Sequence, residues 1–339
     1  MTGKSVLELN AAPAAVVGAD GVPAAGRFIG RCGEIDWRKL GAQWRRSPLW
    51  RHFHHKRWHY IGIAAPDCFI GCAVVDIGWT NAAFAYLFDR DQRCVTGAMS
   101  RDGLPGLTAK VSDLPLPGRR SHFAMLGDAV EIAESSRGRF ALTVRGPKGF
   151  AVDVEIDNPR AVPWMLACNA VEGGVWHATH KSTAMAVQGH AVAGGKRYAL
   201  DGAWASQDHS NGLLPRDTRW LWASAHGETV GFNLQSGYFG NNENALWLDG
   251  KLIPLGAAQF QFDPADTQAP WQVHTDDGLL DLRFQPEGER REDRNLLVAA
   301  TRYVQPVGTF SGTVRATVDA PQRRVEGLLG VVEQHASRW

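Results

Sequence analysis

From Arg51 onward the chain is cut into strand-length apolar runs by turn residues, and it almost never shows the 3.6-residue period of a helix. Phe140, Leu142 and Val144 alternate with other residues, Gly146-Pro147-Lys148-Gly149 turns the chain, and Phe150, Val152, Val154 and Ile156 alternate back. Pattern and turn chemistry together specify a hairpin. The same reading gives strands over 53–63, 69–77, 82–88 and 93–99, separated by Pro66-Asp67, Gly78 and Asp89-Arg90-Asp91. Further on, Leu246-Trp247-Leu248, Asp249-Gly250 and Leu252-Ile253 form a tight hairpin with a type I′ turn, and residues 271–274 and 280–284 flank another turn at Asp276-Asp277-Gly278. Residues 307–318 and 325–332 read as closing strands. Strands spaced about ten residues apart, with little helix, predict an all-β chain of two antiparallel β-barrels or sandwiches.

The exceptions are short. Trp37, Leu40, Gly41 and Trp44 fall at i, i+3, i+4 and i+7, with Glu34 or Asp36 able to cap the start and Arg45 and Arg46 suited to the C-terminal dipole. That predicts one small helix, a lid or plug, ended by Ser47-Pro48. Residues 1–33, rich in Ala, Gly, Val and Pro and without a period, read as an extended N-terminal segment. Asp157-Asn158-Pro159-Arg160-Ala161-Val162-Pro163 breaks all periodicity, which divides the chain into barrel domains over 34–160 and 161–339.

Composition excludes several function classes. Lys plus Arg is 36 and Asp plus Glu is 35, a balance that argues against a nucleic-acid binder or a polybasic membrane anchor. No window approaches the roughly 18 consecutive apolar residues of a spanning helix. Cys32, Cys68, Cys72, Cys94 and Cys168 are odd in number and form no CxxC pair, so they read as reduced thiols. Together with an N-terminus broken up by Glu8, Asn10, Pro13, Gly18 and Asp20, they predict a cytoplasmic protein. Thirteen Trp against five Tyr suit β cores, and equally a barrel lined for an apolar or cationic guest.

Familiar catalytic motifs are missing. Gly189 to Lys196 approaches a Walker A loop, but its glycine spacing is off by one and Arg197 stands where a hydroxyl is required. Gly308-Thr309-Phe310-Ser311-Gly312 carries its serine one place late for a nucleophile elbow. Four polar clusters remain. In His52 to Tyr60, strand alternation puts His52, His54, Lys56, Trp58 and Tyr60 on one face and Phe53, His55, Arg57 and His59 on the other. Two same-face histidines still need a third ligand from elsewhere, so no metal is predicted. Trp204 to Gly212 holds Asp208 beside His209, a proton donor or relay if held in an apolar cavity, and equally a good turn. Asn241-Asn242-Glu243-Asn244 caps a turn or puts Glu243 at a barrel mouth. Glu333 and His335 share a strand face near Trp339.

These stretches, with Asn81 to Arg90, Pro215 to Thr218, Trp220-Leu221-Trp222-Ala223 and the ending from Gly330 to Trp339, resemble the DUF2804 family over about residues 27–339. A more distant similarity is to carotenoid hydratase (hydroxyneurosporene synthase) and AttH-like proteins, carried by Asp208, His209 and Gly212. That resemblance implies two lipocalin-like barrels packed together with few short helices, and a signature beside a cavity. Some relatives protonate or cyclise isoprenoid-type substrates without a cofactor. Ser210-Asn211 is a departure, standing where those relatives carry an aromatic residue.

Two functions follow as expectations. One is a cofactor-independent acid–base enzyme acting on an apolar small molecule, isoprenoid- or lipid-like, by hydration, isomerisation or cyclisation. Asp208 would donate the proton with help from His209. Trp204, Trp220 and Trp222, with Trp58, Tyr60 and Asn244, would line the ligand, and His55 or Glu243 would accept a proton or position water. The other is a non-catalytic carrier or sensor of an apolar ligand. A barrel pair that binds another protein is a weaker third.

Overall fold

The computed structural model describes residues 9–135, 138–295 and 300–339. Two almost wholly antiparallel sheets each curl around their own apolar core, as the all-β reading predicts. The hairpins expected from turn chemistry are present: Phe140–Arg145 pairs with Ala151–Asp157, Ala245–Leu248 with Lys251–Pro254, and Trp271–Thr275 with Leu280–Asn295. Asp249 and Gly250 both take positive φ, 51° and 79°, as a type I′ turn requires.

The first sheet runs Cys94–Gly103, Asn81–Asp89, Cys68–Asp76, His55–Ala64, Ala203–Leu213, Trp176–Ala193, Ala151–Asp157, Phe140–Arg145, Asp128–Glu134, Arg120–Met125 and Ala109–Lys110. The second runs Lys251–Pro254, Ala245–Leu248, Val230–Gly237, Asp217–His226, Arg323–Arg338, Ala300–Val314, Leu280–Asn295, Trp271–Thr275 and Ala258–Gln261. The chain therefore changes sheet between Leu213 and Asp217, not after residue 160. The Pro-rich break at 157–163 is a loop closed on itself by Asn158, whose side chain donates to Val162 O and accepts from Val162 N, each at 2.8 Å. It steps the chain over to Met165–Ala170, which pairs back onto the same sheet. Proline ended the local period without ending the domain.

The helix expected over 37–44 is displaced. Asp36 caps only a 3₁₀ turn at Trp37–Lys39, and the α-helix is Pro48–His54, capped by Ser47 with Pro48 in its first turn. Ser-Pro reads as a stop, but Pro is equally at home at the first helical position. His52 and His54 are consequently helical, and strand alternation starts only at His55. The described part of the N-terminal segment is extended and ordered. Gly26–Ile29 pairs with Met165–Ala170, and Val16, Val17 and Cys32 pack with Leu166, Cys168 and Trp176. Residues 1–8 of the expected segment lie outside the described residues. All five cysteines are free, four buried and Cys94 exposed. Among the described residues no helix is long and apolar enough to cross a membrane.

Both faces of the central strands are covered. Ile61 and Ile63 face the first barrel's core with Ile70, Cys72 and Val74, while Tyr60, Phe69 and Phe88 face outward. There they meet Trp222, Val307, Leu329 and Val331 from the outer face of the second sheet. Burial on two sides explains the near-continuous apolar runs of the sequence. It also creates a seam between the barrels, and the candidate site lies there.

Candidate active site

Ala203–Leu213 lies between His55–Ala64 and Trp176–Ala193, and its register decides what meets what. Asp208 stands opposite Tyr60 on one side and Lys181 on the other; His209 stands opposite His59 and His180. One step along a strand reverses the face. Asp208, Tyr60 and Lys181 therefore turn toward the seam, and His209, His59 and His180 turn into the first barrel. The bend at Ser210 and Gly212 that would bring Asp208 and His209 together does not occur, because the ladder is continuous from Ala203 to Leu213. They are not a unit.

What joins Asp208 is Lys181. Its Nζ lies 2.6 Å from Asp208 Oδ2 and 3.2 Å from Glu243 Oε2, with a side chain only 2% exposed. Thr179 and Ser210 bring their hydroxyls to 3.2 Å from Asp208 Oδ1. One cation thus serves two carboxylates. Burial works against the lysine charge, but Asp208 and Glu243 outweigh it and hold the Lys181 pKa above its ordinary value. Burial pushes the Glu243 carboxyl up, beyond what Lys181 restores. The cluster is electrically neutral when Glu243 carries the proton, and an isolated excess charge is costly in such surroundings.

The cluster opens on a cavity of about 120 Å³ in the seam, walled by Trp58, Tyr60, Trp222 and Tyr238 around Asp208 and Glu243. Trp222 is fixed by Asn233 Oδ1, which accepts its indole N–H at 2.9 Å, and Asn233 in turn donates to Glu243 O at 3.0 Å. The opposite wall carries a second polar group. Glu333 accepts from Trp220 Nε1 at 3.0 Å and from Gln305 Nε2 at 2.6 Å, and lies 3.0 Å from His335 Nδ1. His335 is stacked on Trp220, ring centroids 3.9 Å apart.

Trp58, Tyr60, Asp208, Trp220, Trp222 and Glu243 are thus brought to one cavity. Four expected site residues are elsewhere. His209 is wholly buried, 2.8 Å from Ser112 O by its Nε2, and burial lowers its pKa to about 4. His55 bonds Asn211 Oδ1 at 2.8 Å beside the charged groove of Arg57, Asp76 and Asp113. Trp204 shares the face of Asp208 but lies beyond the cavity, under the Arg160 guanidinium at 5.2 Å. Asn244 is a structural cap, accepting from Gln235 N at 2.6 Å and donating to Gly256 O at 2.9 Å. Lys181, Gln235, Tyr238 and Tyr303 line or feed the cavity without having been singled out. Only strand parity could have found Lys181, since it requires the pairing with Asp208. Among the described residues, no group of three or more His, Cys, Asp or Glu is arranged to hold a metal ion.

The profile of the domain of unknown function DUF2804 matches residues 11–339. The chain belongs to this family. No curated protein matches this DUF2804 chain at a significant level. Solved structures share its fold. An AttH-type protein of Nitrosomonas europaea superposes with a TM-score of 0.54 at 13% identity, over 85% of this chain and 93% of that one. Kievitone hydratase of Nectria haematococca gives 0.51 at 11% identity, over 84% and 88% of the two chains. CghA gives 0.50 at 11% identity, over 97% of each. At such identities the DUF2804 protein shares with these neighbours the double-barrel architecture alone.

Proposed function

We propose that this DUF2804 protein is a cofactor-independent acid–base enzyme whose site is the cavity between the barrels. It protonates an apolar, isoprenoid- or lipid-like small molecule, leading to hydration, isomerisation or cyclisation. The observation that carries the reading is one buried lysine shared by two carboxylates that face aromatic walls. A structural ion pair needs one carboxylate. The second leaves a proton to place, and it is Glu243 whose ionised form burial disfavours. That moves the role of general acid from Asp208 to Glu243, because Asp208 makes the shorter bond to Lys181 and is already surrounded by donors.

In the proposed step the Glu243 O–H bond breaks and a C–H bond forms on the substrate alkene, leaving a cation at the neighbouring carbon. Trp58, Trp220 and Trp222 face that charge, each contributing on the order of 0.5–2 kcal/mol. In hydration, water adds to the cation and returns a proton to the Glu243 carboxylate; in isomerisation or cyclisation the proton comes from substrate carbon. The kievitone hydratase likeness is compatible with this chemistry.

The test is incubation with terpenoid alkenes and unsaturated lipids in deuterated water, with mass spectrometry of the products. A product with carbon-bound deuterium is expected, lost by about 10²–10⁴-fold in Glu243→Gln. Ligands that bind but are never deuterated, with affinity falling in Trp222→Ala and unchanged in Glu243→Gln, would establish a carrier instead.

A further inference from the structure

Three polar groups on the cavity wall have no part in that scheme. Gln235 is 2% exposed, and neither end of its amide has a hydrogen-bond partner among the described residues. The hydroxyls of Tyr60 and Tyr303, both buried, are likewise unpartnered. Two neighbouring amides are not in this state. The Gln305 amide is satisfied at both ends by Tyr86 and Glu333, and Asn233 at both ends by Trp222 and Glu243. Buried polar groups in a folded protein are nearly always paired, so an exception calls for an explanation. Gln235 is also held in place. Its backbone N–H donates to Asn244, and it stands opposite Trp222 in the ladder.

An amide with both ends free suits a ligand group that accepts and donates, or one that does either beside a second polar atom. Burial drives the Tyr60 pKa well above its ordinary value, so its hydroxyl stays a donor. The space, about 120 Å³, is close to the roughly 150 Å³ that accommodates a benzene ring. We propose that the cavity takes an oxygenated ring, one bearing a hydroxyl or carbonyl, and that Gln235 with Tyr60 and Tyr303 selects it over the bare hydrocarbon. The inference rests on the reading that this cavity is the functional site, and it narrows the substrate from any apolar alkene to an oxygenated cyclic one.

The experiment compares pairs of equal size, phenol with toluene and 2-cyclohexenone with 1-methylcyclohexene, by ligand-observed NMR titration of the full chain. The oxygenated member of each pair is expected to bind about tenfold more tightly or better. In Gln235→Leu that preference falls to within about threefold, toluene affinity holds or rises, and the Tm of the free protein is unchanged or higher. Replacing an unpaired buried amide by an apolar group of similar shape relieves its desolvation cost. Should Gln235→Leu not fold, Gln235→Met and Tyr60→Phe carry the same comparison. Hydrocarbons binding as tightly as their oxygenated partners, or a preference that survives these substitutions, would overturn the assignment. Binding is read without turnover, so a failure of the acid–base chemistry leaves this result standing, and the reverse also holds.

Discussion

Replacing Lys181 by Met removes the only cation that, among the described residues, pairs with two buried carboxylates, Asp208 at 2.6 Å and Glu243 at 3.2 Å. Breaking a buried pair by removing one partner costs about 3–5 kcal/mol, because the remaining charge is left uncompensated. The cost must also depend on pH. Glu243 ordinarily titrates near 4.5, and burial raises it in the folded protein against the downward pull of Lys181. A raised folded value means that the protonated carboxyl favours folding. That contribution is complete below the unfolded pKa and is lost as pH rises through the folded one. Without Lys181 the folded value climbs further, so the loss continues to higher pH at up to about 1.4 kcal/mol per unit for one proton. Urea unfolding followed by tryptophan fluorescence at pH 5 and pH 8 measures this. The Lys181→Met penalty should approach about 3–5 kcal/mol at pH 8 and be clearly smaller at pH 5, with unchanged m-values. Adding Glu243→Gln should restore part of it. A penalty below about 1 kcal/mol at pH 8, or one equal at both pH values, refutes the shared-lysine account.

Glu243→Gln should keep the fold and ligand affinity while cutting deuterium incorporation by about 10²–10⁴-fold, read by mass spectrometry. Trp222→Ala should weaken phenol binding by at least about tenfold in the same NMR titration, because the indole both walls the cavity and, through Asn233, holds the Glu243 backbone. The histidines inside the first barrel oppose acid. Burial lowers His59 to about 3 and His209 to about 4, so the unfolded chain binds protons that the folded one refuses. Their contribution is present above pH 6.5 and lost as pH falls toward 4. His59→Gln should therefore reduce the slope of stability against pH between 4 and 6 by about 1.4 kcal/mol per unit, measured by urea unfolding.

The sheets were legible in the sequence because turn chemistry is local. Asp249-Gly250 and the 146–149 turn announce their hairpins within a few residues, and both are found. The place where the chain changes sheet was not legible. Prolines at 159 and 163 mark a stop in local period, and whether the next strand returns to the same sheet depends on pairing between Met165–Ala170 and Trp176–Ala193. Ser47-Pro48 shows the same ambiguity on a smaller scale, as a signal that both ends and starts helices. Trp58, Tyr60, Asp208, Trp220, Trp222 and Glu243 were picked out by residue type and resemblance, and they share a cavity. His209 was misplaced although parity alone separates it from Asp208. Lys181 was invisible because its meaning comes from residues 27 and 62 positions away in the chain, joined only by sheet register and by the packing of one barrel on the other.

The most direct measurement of the central claim is a carbon-13 NMR titration of the glutamate carboxyls in the free protein, with the Glu243 signal assigned by its loss in Glu243→Gln. A Glu243 midpoint above the ordinary value of 4.5 is predicted, moving higher still in Lys181→Met. A Glu243 midpoint at or below 4.5, unmoved by loss of Lys181, would contradict it.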